Sequence, residues 1–567
     1  MNKKTYVALT IGPIYKTFLN VRKTREVWAA SYMFSFIMRN ILDELKLPHN
    51  RYIVPYINDE VFKYKGVGIF PDRFIFESNP GDIENVKNAI EKAIEKFSVY
   101  FNENEDEIRL YLHEYFRFCY IEKELEDGAN IIEEMFKHLD TLELQNKPMS
   151  ERLLNTNYLW DFFKNVNKNT KGFFKDNNYK KEDKEYDTLG IKDANKSIRF
   201  ESVVEIATSE MKHSDELIKR DEGHSYVMGA KYKELVNSYL WAESDGDKDK
   251  DEEFINVLKK ELPEKFKPFH KYMAIIKADG DKMGGAIASM KGNKDNLGKI
   301  SKGLLDWALF CDKIVRNYGG IPIYIGGDDL LAFAPVACKD KTIIDLVKEI
   351  DKAFAETVGL HKFIPDGSTE QTNATLSYGI SINYYKFPLF EAISSVDELL
   401  YEAKNSSPER NSACIKLLKH SGNILKTTIQ KSKNGNFNAF EELLNEIQSD
   451  KFLKEKSFLN SVMYNLRDNE VLLGILGENL ERVLNFMNNN FEDFKYEFKE
   501  SNPKGRYLHK VCNIIVSEFK IADRYFPAED DAKKKKAREN KVTAYALNNI
   551  YSKLRISRFI KGLEDDK

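Results

Sequence analysis

The chain has 567 residues, enough for three or four domains, with 42% hydrophobic and 12% aromatic residues to fill their cores. Lys and Arg (87) nearly balance Asp and Glu (90), a formal net charge of −3, which excludes a uniformly basic nucleic-acid binder and leaves only a local patch for such a role. Cys119, Cys311, Cys338, Cys414 and Cys512 are scattered and form no C-x-x-C, which argues against a zinc knuckle or a disulfide framework and fits a reducing cytosol; no run approaches the roughly 20 apolar residues of a membrane span.

Lys3-Lys4 ahead of Tyr6–Ile11 could pass for a signal peptide. The apolar run is short, is broken by Gly12-Pro13 and lacks a cleavage site, so it reads as a first β-strand. Residues 1–145 then read as α/β. Lys23–Leu45 is a long helix, and Arg51–Val54 and Phe70–Glu77 are strands. Ile83–Tyr100 is an amphipathic helix, Ile108–Ile121 includes a strand, and Asn130–Leu144 is a helix. The order β-α-β-β-α-β is the ferredoxin-like signature. Within it, Arg22, Lys23 and Arg25 are read as a solvated helix start rather than a phosphate contact.

Residues 146–265 read as mainly helical. Asn165–Lys196, rich in Asn, Lys and Asp, looks like a long loop or mobile insertion, and the charge run Glu243–Glu253 like a solvated linker near a domain boundary. Residues 266–422 form a second α/β unit. Its strands are expected at Tyr272–Ala278, in the Ile321–Pro335 hairpin, at Thr375–Tyr384 and at Ala413–Leu418, and its helices at Leu304–Tyr318, Lys341–Val358 and Val396–Lys404. One fold is thus used twice, although the residues barely repeat. Residues 423–567 show helical periodicity and almost no strand signal, with helices expected at Phe437–Ile447, Phe452–Leu466, Val471–Met487 and Val542–Leu563. The basic run Lys533–Lys536 is expected on an exposed loop or helix end.

Two stretches carry chemistry. Ile321–Pro335 (IPIYIGGDDLLAFAP) reads as a hairpin turning on Gly326-Gly327-Asp328-Asp329. A turn needs no more than Gly next to Asp, but two adjacent carboxylates repel, and they stay ionised most easily with a cation on them. His270–Gly285 (HKYMAIIKADGDKMGG) places Asp279-Gly280-Asp281 at a strand end, followed by Met283-Gly284-Gly285. Backbone N–H groups of such a turn can face phosphate oxygens while an Asp holds Mg²⁺. If the two strands are neighbours, Asp279, Asp328 and Asp329 converge on one edge and suit metal-assisted phosphoryl transfer.

The DGDxMG strand end, the I-G-G-D-D hairpin, the Y-G-I-S-I strand and the L-Y-E-A-K-N helix end occur in that order and resemble nucleotide-cyclase palm domains of the GGDEF kind. With IGPI, RKTREVWAASY and FPDRF at the front, nearly the whole chain resembles the large palm-domain subunit of Cmr-type type III CRISPR effector complexes. The resemblance implies an α+β fold of two ferredoxin-like palms, each followed by a mainly helical domain, with residues 1–145 the non-catalytic palm. It implies a nucleotidyltransferase that binds ATP and Mg²⁺ or Mn²⁺. Asp279 and Asp328 would be metal ligands, and Asp329 a further acidic group for metal or for deprotonating the attacking hydroxyl. Gly326, Gly327 and Gly284 would let phosphates approach the backbone, Lys404 would stand near the phosphates, and Asp281 would support the site.

A substrate hydroxyl would attack the α-phosphate of ATP, releasing pyrophosphate. Most relatives make cyclic oligoadenylates; others join AMP to S-adenosylmethionine. Implied partners are the backbone and small subunits of the complex, CRISPR RNA and target RNA, which would activate the site, in the cytoplasm and without a membrane. Many relatives begin with an HD nuclease domain or carry a four-cysteine zinc site. Neither pattern occurs in this sequence, so DNA cleavage is not expected. Three competing readings are a free-standing GTP-using cyclase, a scaffold with a decayed palm, and a template-directed polymerase; the intact Asp279, Asp328 and Asp329 speak against a scaffold.

Overall fold

A computed structural model describes the chain except residues 1–2, 19–20, 102–103, 146–156, 166–172, 178–199, 213, 220–224, 241–247, 290–292, 360–372, 448–455, 492–502, 527, 529–531 and 565–567. The first palm is built on β1 (Lys3–Gly12), α1 (Thr24–Leu45), β2 (Tyr52–Val54), β3 (Arg73–Glu77), α2 (Asp82–Ser98), α3 (Glu105–Tyr115), β4 (Arg117–Glu126) and α4 (Ile131–Glu143). The sheet order is β2-β3-β1-β4, the ferredoxin-like arrangement, so Tyr6–Ile11 lies in a central strand. Ile108 falls in α3 rather than in a strand; the aromatic run Tyr111–Phe116 fits either period, and helix wins up to Tyr115. α1 is buried along almost its whole length, beyond what an amphipathic stripe would give. Its start is closed by Glu26, which accepts from the backbone N–H of Arg22 at 2.8 Å. Arg22 is exposed as expected, but Arg25, the second residue of α1, is only 5% exposed.

The second palm comprises β5 (Tyr272–Asp281), α5 (Lys294–Tyr318), β6 (Ile321–Gly326), β7 (Asp329–Pro335), α6 (Ile343–Thr357), β8 (Thr375–Tyr384), α7 (Leu389–Asn405), β9 (Ser412–Leu418) and β10 (Ile424–Gln430). Its sheet runs β10-β9-β8-β5-β7-β6. Strands β6-β7-β5-β8 repeat the first palm's order, and β9 and β10 extend the sheet beyond β8. β5 continues through Asp279, Gly280 and Asp281, which pair with Ser377, Leu376 and Thr375 of β8. α5 starts at Asn293, whose side chain caps two backbone N–H groups, and stops at Gly319 (φ +100°). Gly379 of the Y-G-I-S-I strand has its reason in packing: a Cβ there would overlap the backbone of α7.

Three corrections concern boundaries. β10 pairs along β9, so the sheet runs past residue 422 into the stretch expected to be helical; the charged Lys426 and polar Thr427–Thr428 had masked the alternation. The second half of the charge run is not linker but the start of helix Lys248–Glu261; residues 241–247 lie outside the described residues. Most of Asn165–Lys196 also lies outside them, but Phe173–Asn177 is a short helix whose Phe173 is buried among Trp28, Tyr32, Phe36, Phe97 and Phe162. Residues 203–207 and 228–239 are helical, and Leu217–Lys219 pairs with Ser225–Val227.

The C-terminal helices include Phe437–Ile447 as expected. Lys456–Asp468 replaces the expected 452–466 helix, and Glu470–Leu476 and Leu480–Asn490 share the stretch expected as one helix, broken at Gly477. Pro503–Tyr525 was not foreseen, and Ala532–Ile560 begins ten residues early, with Lys533–Lys536 in its exposed first turns. Lys553, fully buried, ties this region to the sheet: its Nζ reaches Glu518 at 3.0 Å, Thr427 Oγ1 at 2.6 Å and the Thr428 carbonyl at 2.7 Å. The palms also meet directly, since Ile325 N donates to the Gly68 carbonyl at 2.9 Å and Tyr56 N to Ser301 Oγ at 2.6 Å. Among the described residues no helix is long and apolar enough to cross a membrane.

Candidate active site

The sheet brings the two motifs together. β5 and β7 are antiparallel neighbours, with Ala278 opposite Leu330, so the strand end carrying Asp279 lies beside the hairpin corner carrying Asp328 and Asp329. Gly280 makes the approach possible: a Cβ there would overlap both the Asp328 carboxylate and Met283. The corner itself turns on Gly327, at φ +63°, a conformation that costs glycine little. Gly326 is buried, and its carbonyl accepts from the Tyr324 hydroxyl at 3.3 Å.

The electrostatics follow from this crowding. Burial, and then the Asp279 charge, push the Asp328 carboxyl up to about 6, against the opposing effect of Lys404. Asp329 is also raised, by burial first and then by Asp328 and Asp279. Asp279 is held by an ion pair with Lys404 at the end of α7, and Lys404 Nζ lies 3.5 Å from the Gly280 carbonyl. Among the described residues no group of three or more His, Cys, Asp or Glu side chains is gathered ready-made around one metal position. The donor set nevertheless suits a hard divalent cation: three carboxylates from two adjacent strand ends, short of positive charge, with a lysine on one of them.

Asp328 stands between two cavities. One, of about 480 Å³, is lined by Asp279, Gly280, Lys282, Met283, Gly284, Gly285, Asp328 and Arg410. The other, of about 220 Å³, is the cleft between the palms; Tyr56, Phe70, Asp72 and Arg73 face Ser301, Leu304, Gly326, Gly327, Asp328 and Asp329 across it. Gly284 is exposed at the first cavity, as its motif suggested. Asp281 is not at either cavity. It is 2% exposed, and its oxygens accept from Thr375 Oγ1 at 2.8 Å, Ser377 Oγ at 2.8 Å and Asn411 N at 3.0 Å. Asp281, expected to support the site, makes no opening for a nucleotide and instead pins the loop that presents Arg410.

Arg410 and Asn411 both have positive φ (61° and 40°), as does Lys282 (59°), so three non-glycine residues around the cavity adopt a conformation that L-residues avoid. Sequence reasoning missed Arg410, Gly280 and Asp72. The Arg-Asn pair after the α7 motif was a usable signal for the first. The glycine between two aspartates pointed to a close approach. Asp72 lay in the FPDRF stretch, and its carboxyl, raised by burial, now faces Tyr324 and the hairpin.

Residues 272–414 match the family described as Cas10/Cmr2, second palm domain, and residues 6–99 match CRISPR-associated protein Cmr2, N-terminal. In these two regions the chain is similar to the Cas10/Cmr2 proteins. A curated relative, the Cmr subunit Cmr2 of Pyrococcus furiosus, is 27% identical over 40% of this chain, and the aligned part spans 30% of that relative's length. Among solved structures, the fold is similar to a chain of the type III-B Cmr-beta complex in its apo state (TM-score 0.51, 14% identity, 88% of this chain and 78% of that one). It is equally similar to one in Cmr-beta bound to cognate target RNA (TM-score 0.51, 13% identity, 88% and 80%). The second-palm match contains Asp279, the Asp328–Asp329 corner, Lys404 and Arg410.

Two expected outcomes follow from the crowding. Gly280→Ala should force Asp328 and Met283 aside and weaken Mn²⁺ binding about tenfold or more by calorimetry, with circular dichroism reporting that the secondary structure is kept. Asp328→Asn should raise the unfolding temperature of the metal-free protein at pH 8. A carboxyl whose folded value is raised opposes folding once ionised. The cost is complete above about pH 6 and vanishes as the pH falls toward the unfolded value near 4. A gain of roughly 1–2 °C in EDTA that shrinks between pH 6 and 4 is the expected scan.

Proposed function

We propose that the second palm is a nucleotidyltransferase that transfers AMP from ATP, and that it makes a second messenger as part of a Cmr-type antiviral ribonucleoprotein switched on by target RNA. The observation that carries this is the convergence of Asp279, Asp328 and Asp329 beside a cavity lined by Arg410, with Lys404 paired to Asp279. Asp279, Asp328 and Asp329 would hold Mg²⁺ or Mn²⁺, which when bound would polarise the α-phosphate and neutralise the leaving pyrophosphate. Lys404 and Arg410 would take the triphosphate oxygens, Arg410 being aimed by the Asp281 anchor. The Gly280–Gly285 segment and Gly326-Gly327 would let phosphates lie close to backbone. Asp329, whose carboxyl is raised, would receive the proton of the attacking hydroxyl. The cleft between the palms would seat the second substrate, so the first palm shapes the site without its own acidic pair.

The product would be a cyclic oligoadenylate or AMP joined to S-adenosylmethionine. The backbone and small subunits, the CRISPR RNA and the target RNA would be partners of the helical regions. Mass spectrometry of products from the assembled, target-bound complex tests this reading. With ATP, with and without S-adenosylmethionine, an AMP-containing product and pyrophosphate are expected. Formation of neither would overturn it, and strong RNA-independent turnover of GTP by the isolated chain would favour a free-standing cyclase.

A further inference from the structure

A larger cavity lies at the opposite end of the second palm, where the C-terminal helices cover Lys419, the residue after β9. Its volume is about 560 Å³, within the range that holds a nucleotide-sized ligand. It is remote from the carboxylates. His420 N donates to the hydroxyl of Tyr272, the first residue of β5, at 3.0 Å, and the seven residues from there to Asp279 span roughly 23 Å of strand.

Four cations line this cavity, Lys419, Arg467, Arg555 and Arg558, against two carboxylates, Glu470 and Glu564. Glu564 Oε1 accepts from Lys419 Nζ at 2.8 Å and from Arg555 Nε and Nη2 at 2.7 Å. Glu470 accepts from the Tyr551 hydroxyl at 3.2 Å. Among the described residues, Arg467 and Arg558 have no carboxylate partner. Arg558 is only 6% exposed; its Nη2 donates to Asn460 Oδ1 at 2.7 Å, and its Nε has no partner. A guanidinium buried to that degree keeps its charge, and leaving it without an anion is costly. Beside these arginines stand Tyr464, 65% exposed, and the half-buried Tyr551, a flat apolar surface next to positive charge. Arginine beside exposed aromatic rings is the chemistry that holds a phosphate and stacks a base.

We propose that this cavity binds a nucleoside phosphate, free or as one nucleotide of a single-stranded RNA, with the phosphate on Arg467 and Arg558 and the base on Tyr464. The site is separate from the carboxylate corner and does not depend on its chemistry.

The test uses the full chain with two probes: a fluorescein-labelled single-stranded RNA of about ten nucleotides, read by anisotropy, and AMP, read by calorimetry. Arg467→Glu lies on the exposed rim and leaves packing intact, whereas Arg558→Gln tests the buried guanidinium. Each should weaken binding of at least one probe about tenfold, and Tyr464→Ala about threefold or more. A loss confined to RNA identifies a strand as the source; a loss for AMP as well identifies a free nucleotide. Failure of the native chain to bind either probe, or unchanged binding of both by Arg467→Glu, overturns the proposal. A loss with Arg467→Glu but none with Tyr464→Ala leaves a bare anion site and overturns the nucleoside assignment.

Discussion

An Asp328→Ala, Asp329→Ala double variant should form no nucleotide product, a loss of at least about 1,000-fold, while its circular dichroism stays native and its metal-free unfolding temperature falls no lower than native. Both halves rest on the same geometry. The two residues sit at a hairpin corner where burial and Asp279 oppose their ionisation, so their carboxylates cost stability rather than supply it. On the proposed reading, a cation bound during the reaction would offset that cost. A cation that loses two of three carboxylate ligands has no remaining strong site. Product formation within about tenfold of the native level would remove the corner from the chemistry.

Lys404→Ala should move two measurements in opposite directions. In this structure Lys404 occupies the Asp279 carboxylate, so removing it frees a metal ligand, and Mn²⁺ affinity without nucleotide should rise severalfold. In the proposed reaction the same lysine would be on the phosphates of bound ATP, so product formation should fall about 100-fold, with partial rescue by Lys404→Arg. Calorimetry and a pyrophosphate-release assay read the two effects. Parallel losses in both would make Lys404 a structural prop of Asp279 instead of a phosphate contact.

The repeated fold was legible because its strands are apolar and its helices periodic. Thr375–Tyr384 and Phe437–Ile447 are found at the expected bounds. The convergence of Asp279 with Asp328 and Asp329 was legible too, since each motif ends a strand and the ferredoxin-like order makes those strands neighbours. What the sequence could not show was tertiary in origin. Asp281 stands two residues from Asp279 on the same strand, so local pattern groups them, but Thr375, Ser377 and the 410–411 loop claim its carboxylate. β10 was hidden because its exposed face carries Lys426 and its buried face the polar Thr427, which is satisfied by Asn549 and Lys553 from a helix more than 120 residues away. Phe173 looked like part of a polar insertion until its aromatic neighbours, distant in sequence, were assembled around it.

The most direct test is a Mn²⁺ titration followed by electron paramagnetic resonance, with a non-hydrolysable ATP analogue present. The native chain is expected to immobilise one or two Mn²⁺ ions, and the Asp279→Ala and the Asp328→Ala, Asp329→Ala proteins to immobilise none. Equal Mn²⁺ occupancy in native and variant proteins would contradict the account.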